Sequence, residues 1–430
     1  MNKFLLVILV FIMNHQSIAQ PRTDQLLKEL LESKRDTLFN QVVNDAKKYR
    51  LQIIYTRIDR NKKNEPAFTN YYFNYDPKLY FNPASTVKLP LAALALEKLR
   101  ALDIDGVNKF TTIQFDSGYE KQTTLIKDET APGQLPTIAH LIKRAFLISE
   151  NDPYNRLYQF VGQQEIHRSL YDKGYTGVRI PRQFMGFTSE QNRRSNPLRF
   201  LDKNGNLIYA QPSLYNPDDL IFNDTIQLGN SYMDRNGSII NEPFDFTMHN
   251  NISLYDLQQI LQSLIFPSSV PKHQRFGITA DDRRFLLQYL SQYPYETPYP
   301  KYDHAKFYDS YAKFFFRDST KQIPNGLRIF NKTGWAYGFL TDVSYVVDFS
   351  NKIEFMLTAT VYVNQDGILN DGKYEYDEIG YPFLYQLGQL IYQHELKRDR
   401  KQQPDLSGLK LNYEKRDPAD KRPLIGEVDN

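Results

Sequence analysis

Ser85-Thr86-Val87-Lys88 sets a hydroxyl and an amine three residues apart, just after Asn82-Pro83 and at the head of the apolar run VKLPLAALALEKLRAL. Side chains at i and i+3 share one face of a helix, so the two groups can pass a proton between them. A helix start also disfavours a charged amine through its positive dipole end, and offers free N–H groups to an oxyanion. A desolvated Lys88 in that setting is neutral enough to act as general base toward Ser85. The pattern alone is weak, because S-x-x-K is expected about twice by chance in a chain of ordinary composition. It does occur twice, but Ser269-Val270-Pro271-Lys272 carries a proline inside the motif and cannot sit on an uninterrupted helix.

Two further clusters carry polar chemistry. Ser149-Glu150-Asn151 ends the apolar run HLIKRAFLI with a hydroxyl, a carboxylate and an amide; taken alone, it reads more readily as an ordinary helix C-terminus before Asp152-Pro153, since Ser and Asn are common boundary residues. Lys332-Thr333-Gly334 closes a predicted strand, and Gly334 removes the side chain that would hold an extended ligand away from the strand edge. Lys332 supplies positive charge there and Thr333 a hydroxyl. Such an edge can take an added peptide strand, with the Trp335 N–H directed at its carbonyl. A surface lysine before a β-turn is the plainer alternative.

The elements that must hold these groups follow from periodicity. Residues 24–43 predict an amphipathic helix, 51–58 and 69–75 a hairpin, and the run from Ser85 a buried helix apolar on all sides. Helices are predicted over 137–148, 152–161, 253–266 and 279–292, the last two opening with S-x-x-D and T-x-x-D. Strands return at 327–332, 343–349 and 353–361, before a closing helix over 374–396. The economical topology is an α/β sandwich: an antiparallel sheet from both chain ends (about 20–80 and 325–397), flanked by helices, with a helical block over about 81–324 inserted. Residues 174–250 and 267–325 read as long surface excursions, and the polar residues 398–430 as a disordered tail.

Composition removes several classes. The 430 residues allow one large to three small domains at about 150 residues each. Fifty-three Lys plus Arg against 50 Asp plus Glu give +3 without long basic blocks, so nucleic acid is not an expected partner. There is no Cys, and the seven His form neither H-x-H nor H-E-x-x-H, so no metal or cofactor is expected. Lys3, the apolar run Phe4–Met13 and Ser17-Ile18-Ala19 predict a signal peptide cut near Ala19, with a mature chain from about Gln20. Ten apolar residues are too few to span a bilayer, so a periplasmic or secreted protein without a membrane span is expected.

With S-x-x-K, S-x-N and K-T-G in that order, the sequence resembles the penicillin-recognising serine hydrolases, most closely the class A β-lactamase-like family. The resemblance covers about residues 25–397, including FNPASTVKLPLAALALEKL, LISEND and IFNKTGWAYGF. It implies an antiparallel α/β sandwich, an inserted all-helical domain, and an active site in the cleft between them. It implies that Ser85 is the acylated nucleophile, Lys88 its proton acceptor, Ser149 a proton shuttle to the leaving nitrogen, and Asn151 a ligand of the substrate amide. Lys332 and Thr333 would hold the substrate carboxylate, beside Gly334, and the Ser85 and Trp335 N–H groups would form the oxyanion hole. A monomer acting on a small-molecule β-lactam or a cell-wall peptide is the expectation. Three departures stand out. No E-x-x-L-N loop supplies a deacylating Glu, leaving Glu190 as the nearest substitute and Glu165 as a weaker one. Thr341 and Asp342 occupy the strand where an Arg often receives the substrate carboxylate. Glu150 replaces the Asp of S-D-N. A β-lactamase is the leading reading; a penicillin-binding D,D-peptidase, another cell-wall peptide or ester hydrolase, or a binding protein that acylates once are its rivals.

Overall fold

Five antiparallel strands from the two ends of the chain form the central sheet in a computed structural model that describes residues 21–222 and 224–428. Strands β1 (Gln52–Arg60) and β2 (Pro66–Phe73) come from the first hairpin, and β3 (Leu327–Ala336), β4 (Phe339–Asp348) and β5 (Ile353–Tyr362) from the C-terminal part. The order is β3-β4-β5-β1-β2, and the β1–β5 pairing, with Ile54 opposite Thr358, closes the two ends onto each other. Successive strand residues point to opposite faces. Ile53, Tyr55 and Leu357 enter a core with helices Gln25–Glu32, Thr37–Asn44 and Tyr381–Lys397. Ile54, Tyr345 and Met356 enter a larger core with the central helices. Burial on both faces explains why apolar residues fall at successive positions, as in Tyr345-Val346-Val347 of β4 and Phe355-Met356-Leu357 of β5, rather than in strict alternation.

The central helices are Lys88–Leu102, Ile138–Leu147, Asn151–Val161, Gln163–Asp172, Leu254–Ile265 and Ala280–Ser291. Thr137, Ser253 and Thr279 start three of them by accepting the N–H of His140, Asp256 and Asp282, as N-caps do. The inserted block is not helical throughout. Thr112–Phe115 pairs with Leu198–Leu201, which pairs with Leu207–Gln211, and this small sheet ties part of the 174–250 excursion to the body.

Two terminal expectations change. The opening helix is two helices, because Ser33 Oγ turns back to donate to Leu30 O at 2.6 Å and Asp36 accepts the Phe39 N–H at 2.9 Å to start the second. The segment after 397 is not a disordered tail: it has little regular structure but packs along its length. Leu406 is buried, Glu414 pairs with Lys143 at 2.9 Å, and Arg416 donates to the carbonyls of Pro294, Thr297 and Tyr302 at 2.8–2.9 Å. Ile425 bridges to Tyr302. Among the described residues no helix is long and apolar enough to cross a membrane, and no cluster of His, Asp or Glu could hold a metal ion. The expected signal peptide, 1–19, lies outside the described residues.

Candidate active site

Asn82 Oδ1 accepts the Ala84 N–H at 2.9 Å, and Ala84 takes a φ of +43°. The chain thereby enters a 3-10 turn, Ala84–Val87, that runs directly into helix Lys88–Leu102. Three residues per turn stack i over i+3, and Lys88 Nζ accordingly donates to Ser85 Oγ at 2.8 Å. Lys88 is fully buried and also donates to Ser149 O, to Asn151 Oδ1 at 2.9 Å and to Ser149 Oγ at 3.3 Å. Burial, and then the charge of Lys332, push its pKa well below the usual lysine range, against an opposing pull from Glu150. A neutral Lys88 can take a proton from Ser85 along the same contact. Ser269 and Lys272 form no such pair: Ser269 Oγ donates to Phe266 O, and Lys272 is exposed.

Ser149 holds a φ of +71° where helix Ile138–Leu147 ends. Its Oγ accepts from Lys332 Nζ at 2.8 Å, and Lys332 also donates to Thr333 O at 2.7 Å. Burial lowers the Lys332 pKa to about 7, with Asp342 opposing and Lys313 adding to the shift. Ser85, Lys88, Ser149 and Lys332 thus form one continuous hydrogen-bonded chain. Glu150 takes no part in it. Its carboxylate turns away to accept from Arg144, with Nε at 3.0 Å, and from the Tyr302 hydroxyl.

K-T-G lies inside β3 rather than closing it, because pairing continues through Trp335–Leu340 and Ala336–Phe339. The sheet order makes β3 an edge strand. Gly334 has a different reason from the one expected: a Cβ there would sit 2.4 Å from Pro83 O and 2.9 Å from Ser85 N. The missing side chain makes room for the turn that bears Ser85. Thr333 is fully buried, and its Oγ1 has no partner among the described residues. Thr341 Oγ1 donates to Thr360 Oγ1 at 2.8 Å, and Asp342 accepts from Asn331, Ser344 and the Phe314 N–H; both are used within the sheet and its core.

Ser85, Ser149, Asn151 and Trp335 line one cavity of about 460 Å³, together with Asn82, Ala84, Ala336 and Tyr337 and two stretches of the 174–250 excursion whose residues the sequence did not single out, 182–186 and His249-Asn250. Ala84, Ser149 and Tyr337 all have positive φ, at 43°, 71° and 52°, the kind of backbone strain that clusters at functional sites. Phe184 stacks on Tyr154 at 4.3 Å between ring centroids, and Lys88 Nζ lies 5.3 Å from its ring. Glu190 does not reach this cavity. It is half-exposed and paired with Arg194 at 2.7 Å. Glu165 bonds Arg168 and Ser169 and lines a separate cavity of about 590 Å³. No Asp or Glu lines the Ser85 cavity. Neither Arg182 nor His249 belongs to a local motif, and they stand far apart in the chain, so no spacing signal could have found them.

A model of the β-lactamase enzyme family matches residues 34–211, a stretch holding S-x-x-K and S-x-N; K-T-G lies beyond it. The resemblance drawn from the motifs is borne out, and the chain is similar to the β-lactamase-like serine hydrolases. No curated protein matches it. Solved structures similar to it include a β-lactamase from Sphaerobacter thermophilus DSM 20745, at 13% identity and TM-score 0.44 over 82% of this chain and 94% of that one. A class A β-lactamase from Clostridium kluyveri DSM 555 has 12% identity and TM-score 0.45, covering 84% and 99%. One from Chitinophaga pinensis DSM 2588 has 11% identity and TM-score 0.45, covering 83% and 98%.

Proposed function

We propose that this protein is an exported serine hydrolase of the β-lactamase type, acylated at Ser85 by β-lactams. The observation that carries the reading is the Ser85–Lys88–Ser149–Lys332 chain, in which a buried amine contacts the hydroxyl at 2.8 Å. In the proposed step Ser85 Oγ bonds to the lactam carbonyl carbon while its proton passes to Lys88 Nζ. The oxyanion is held by the Ser85 and Trp335 N–H groups. The carbon–nitrogen bond then breaks, and the nitrogen takes up a proton relayed by Ser149 Oγ, which Lys332 orients. Asn151 binds the substrate amide. The orphaned hydroxyl of Thr333, which costs about 1–3 kcal/mol when buried without a partner, and the Lys332 ammonium receive the substrate carboxylate.

A second reading has its own support. With Glu190 turned away, no carboxylate among the lining residues and Phe184 beside Lys88, nothing acidic is positioned to activate the deacylating water. The acyl-enzyme then persists, as in a penicillin-binding peptidase or a protein that acylates once. One experiment separates these. The mature protein is mixed with a chromogenic cephalosporin, and colour and intact mass are followed together. A mass adduct that Ser85→Ala abolishes supports acylation, and an adduct with colour development near one equivalent supports the second reading. Colour that continues through many turnovers supports a β-lactamase, and labelling of Ser85→Ala would refute the assignment of Ser85.

A further inference from the structure

Arg182 lines the cavity of Ser85, and its position is fixed at three points. Its N–H donates to Asn250 Oδ1 at 3.3 Å, its carbonyl accepts the Tyr154 hydroxyl at 2.8 Å, and its guanidinium donates to His249 Nε2 at 2.8 Å. His249 packs edge-on against Phe244, Phe246 and Tyr337, with ring centroids 4.9–5.7 Å apart. Burial and the Arg182 charge hold the His249 pKa down to about 3, so the ring is a neutral acceptor that aims the guanidinium without cancelling its charge.

The charge of Arg182 is left unbalanced. Arg144, Arg156, Arg193 and Arg194 each pair with an Asp or Glu, whereas Arg182 forms no ion pair among the described residues. Asp245 acts on His249 at longer range but does not bond Arg182. The cavity itself is lined by no acid. A guanidinium held by His249, another residue lining this cavity, and lacking an acidic partner among the described residues suits a planar carboxylate.

We infer that Arg182, positioned by His249, is a second anion-recognition point of the Ser85 cavity, and that favoured substrates carry an acidic group besides the one assigned to Lys332 and Thr333. The inference rests on the proposed acylation at Ser85 and adds a selectivity to it: acylating agents with an acidic side chain are preferred over their neutral counterparts.

Carbenicillin and benzylpenicillin make a matched pair, since they differ by one carboxylate on the acyl side chain. Their second-order rates of adduct formation are measured by intact mass, and their equilibrium binding to Ser85→Ala by calorimetry. The wild type is expected to favour carbenicillin about tenfold, the scale of one hydrogen bond to a charged group. Arg182→Gln should bring the ratio toward one, and Arg182→Lys should retain part of it. A ratio near one in the wild type, a ratio unchanged in Arg182→Gln, or equal losses for both compounds would overturn the inference. If neither compound acylates the wild type, the proposed function fails, while the ratio of affinities on Ser85→Ala still decides the role of Arg182.

Discussion

At the scale of single residues, the two S-x-x-K motifs offer the sharpest contrast. Lys88→Ala should slow acylation by about 10²–10⁴-fold, as loss of a general base does, whereas Lys272→Ala, at an exposed position, should leave the adduct rate as it is. Equal effects would show that the wrong serine had been chosen. Glu190→Gln removes only an exposed pairing with Arg194, so both acylation and adduct lifetime should stay as in the wild type; a longer-lived adduct would restore Glu190 as a deacylating base. Lys332 gives a pH dependence. Its charged form is the one that receives an anion, and burial brings its pKa to about 7. The second-order acylation rate by benzylpenicillin should therefore fall as pH rises through about 7. A rate that stays flat between about pH 6 and 9, a window set either side of that pKa, would separate substrate binding from the charge of Lys332.

Elements explain why these residues meet. The T-x-x-D and S-x-x-D starts and the apolar periods predicted four of the six central helices to within a residue or two, because caps and amphipathic faces are local properties; Gln163–Asp172 was not expected. K-T-G was expected to close a strand, with Gly334 leaving the strand edge open to an extended ligand. Only pairing with β4 carries β3 on through Ala336, and only its approach to the Ser85 turn explains the glycine. Gly334→Ala tests that approach. The added methyl would meet backbone at 2.4 Å, which cannot move aside as a side-chain tip can. A loss of about 1–3 kcal/mol in denaturant unfolding, of the size seen on overpacking, should come with acylation slowed at least about tenfold. Wild-type labelling by this variant would mean that the strand does not set the position of Ser85.

Across the whole molecule, the C-terminal segment reaches the region of the site by relay. Arg416 and Ile425 hold residues 294–303, Tyr302 donates to Glu150, and Glu150 stands between Ser149 and Asn151. Deleting residues 401–430 should leave a folded protein whose Tm falls by about 1–2 °C or more, the shift that one to two kcal/mol produces when unfolding entropy scales with so long a chain, and which acylates more slowly. An unchanged Tm would show that the segment only lies on the surface. The sequence alone determined the five strands of the central sheet, most of the helices packed on it, the three motifs and the candidate nucleophile, because patterning and short motifs are carried by residues close in the chain; the small sheet of Thr112–Phe115, Leu198–Leu201 and Leu207–Gln211 and the helix Gln163–Asp172 escaped it. It misread the tail, which is polar in composition yet held by hydrogen bonds to distant carbonyls. It could not place Glu190, Phe184, Arg182 or His249 relative to Ser85 either. Which groups face one cavity depends on how loops far apart in sequence pack over a shared sheet edge, and that packing is a property of the folded chain.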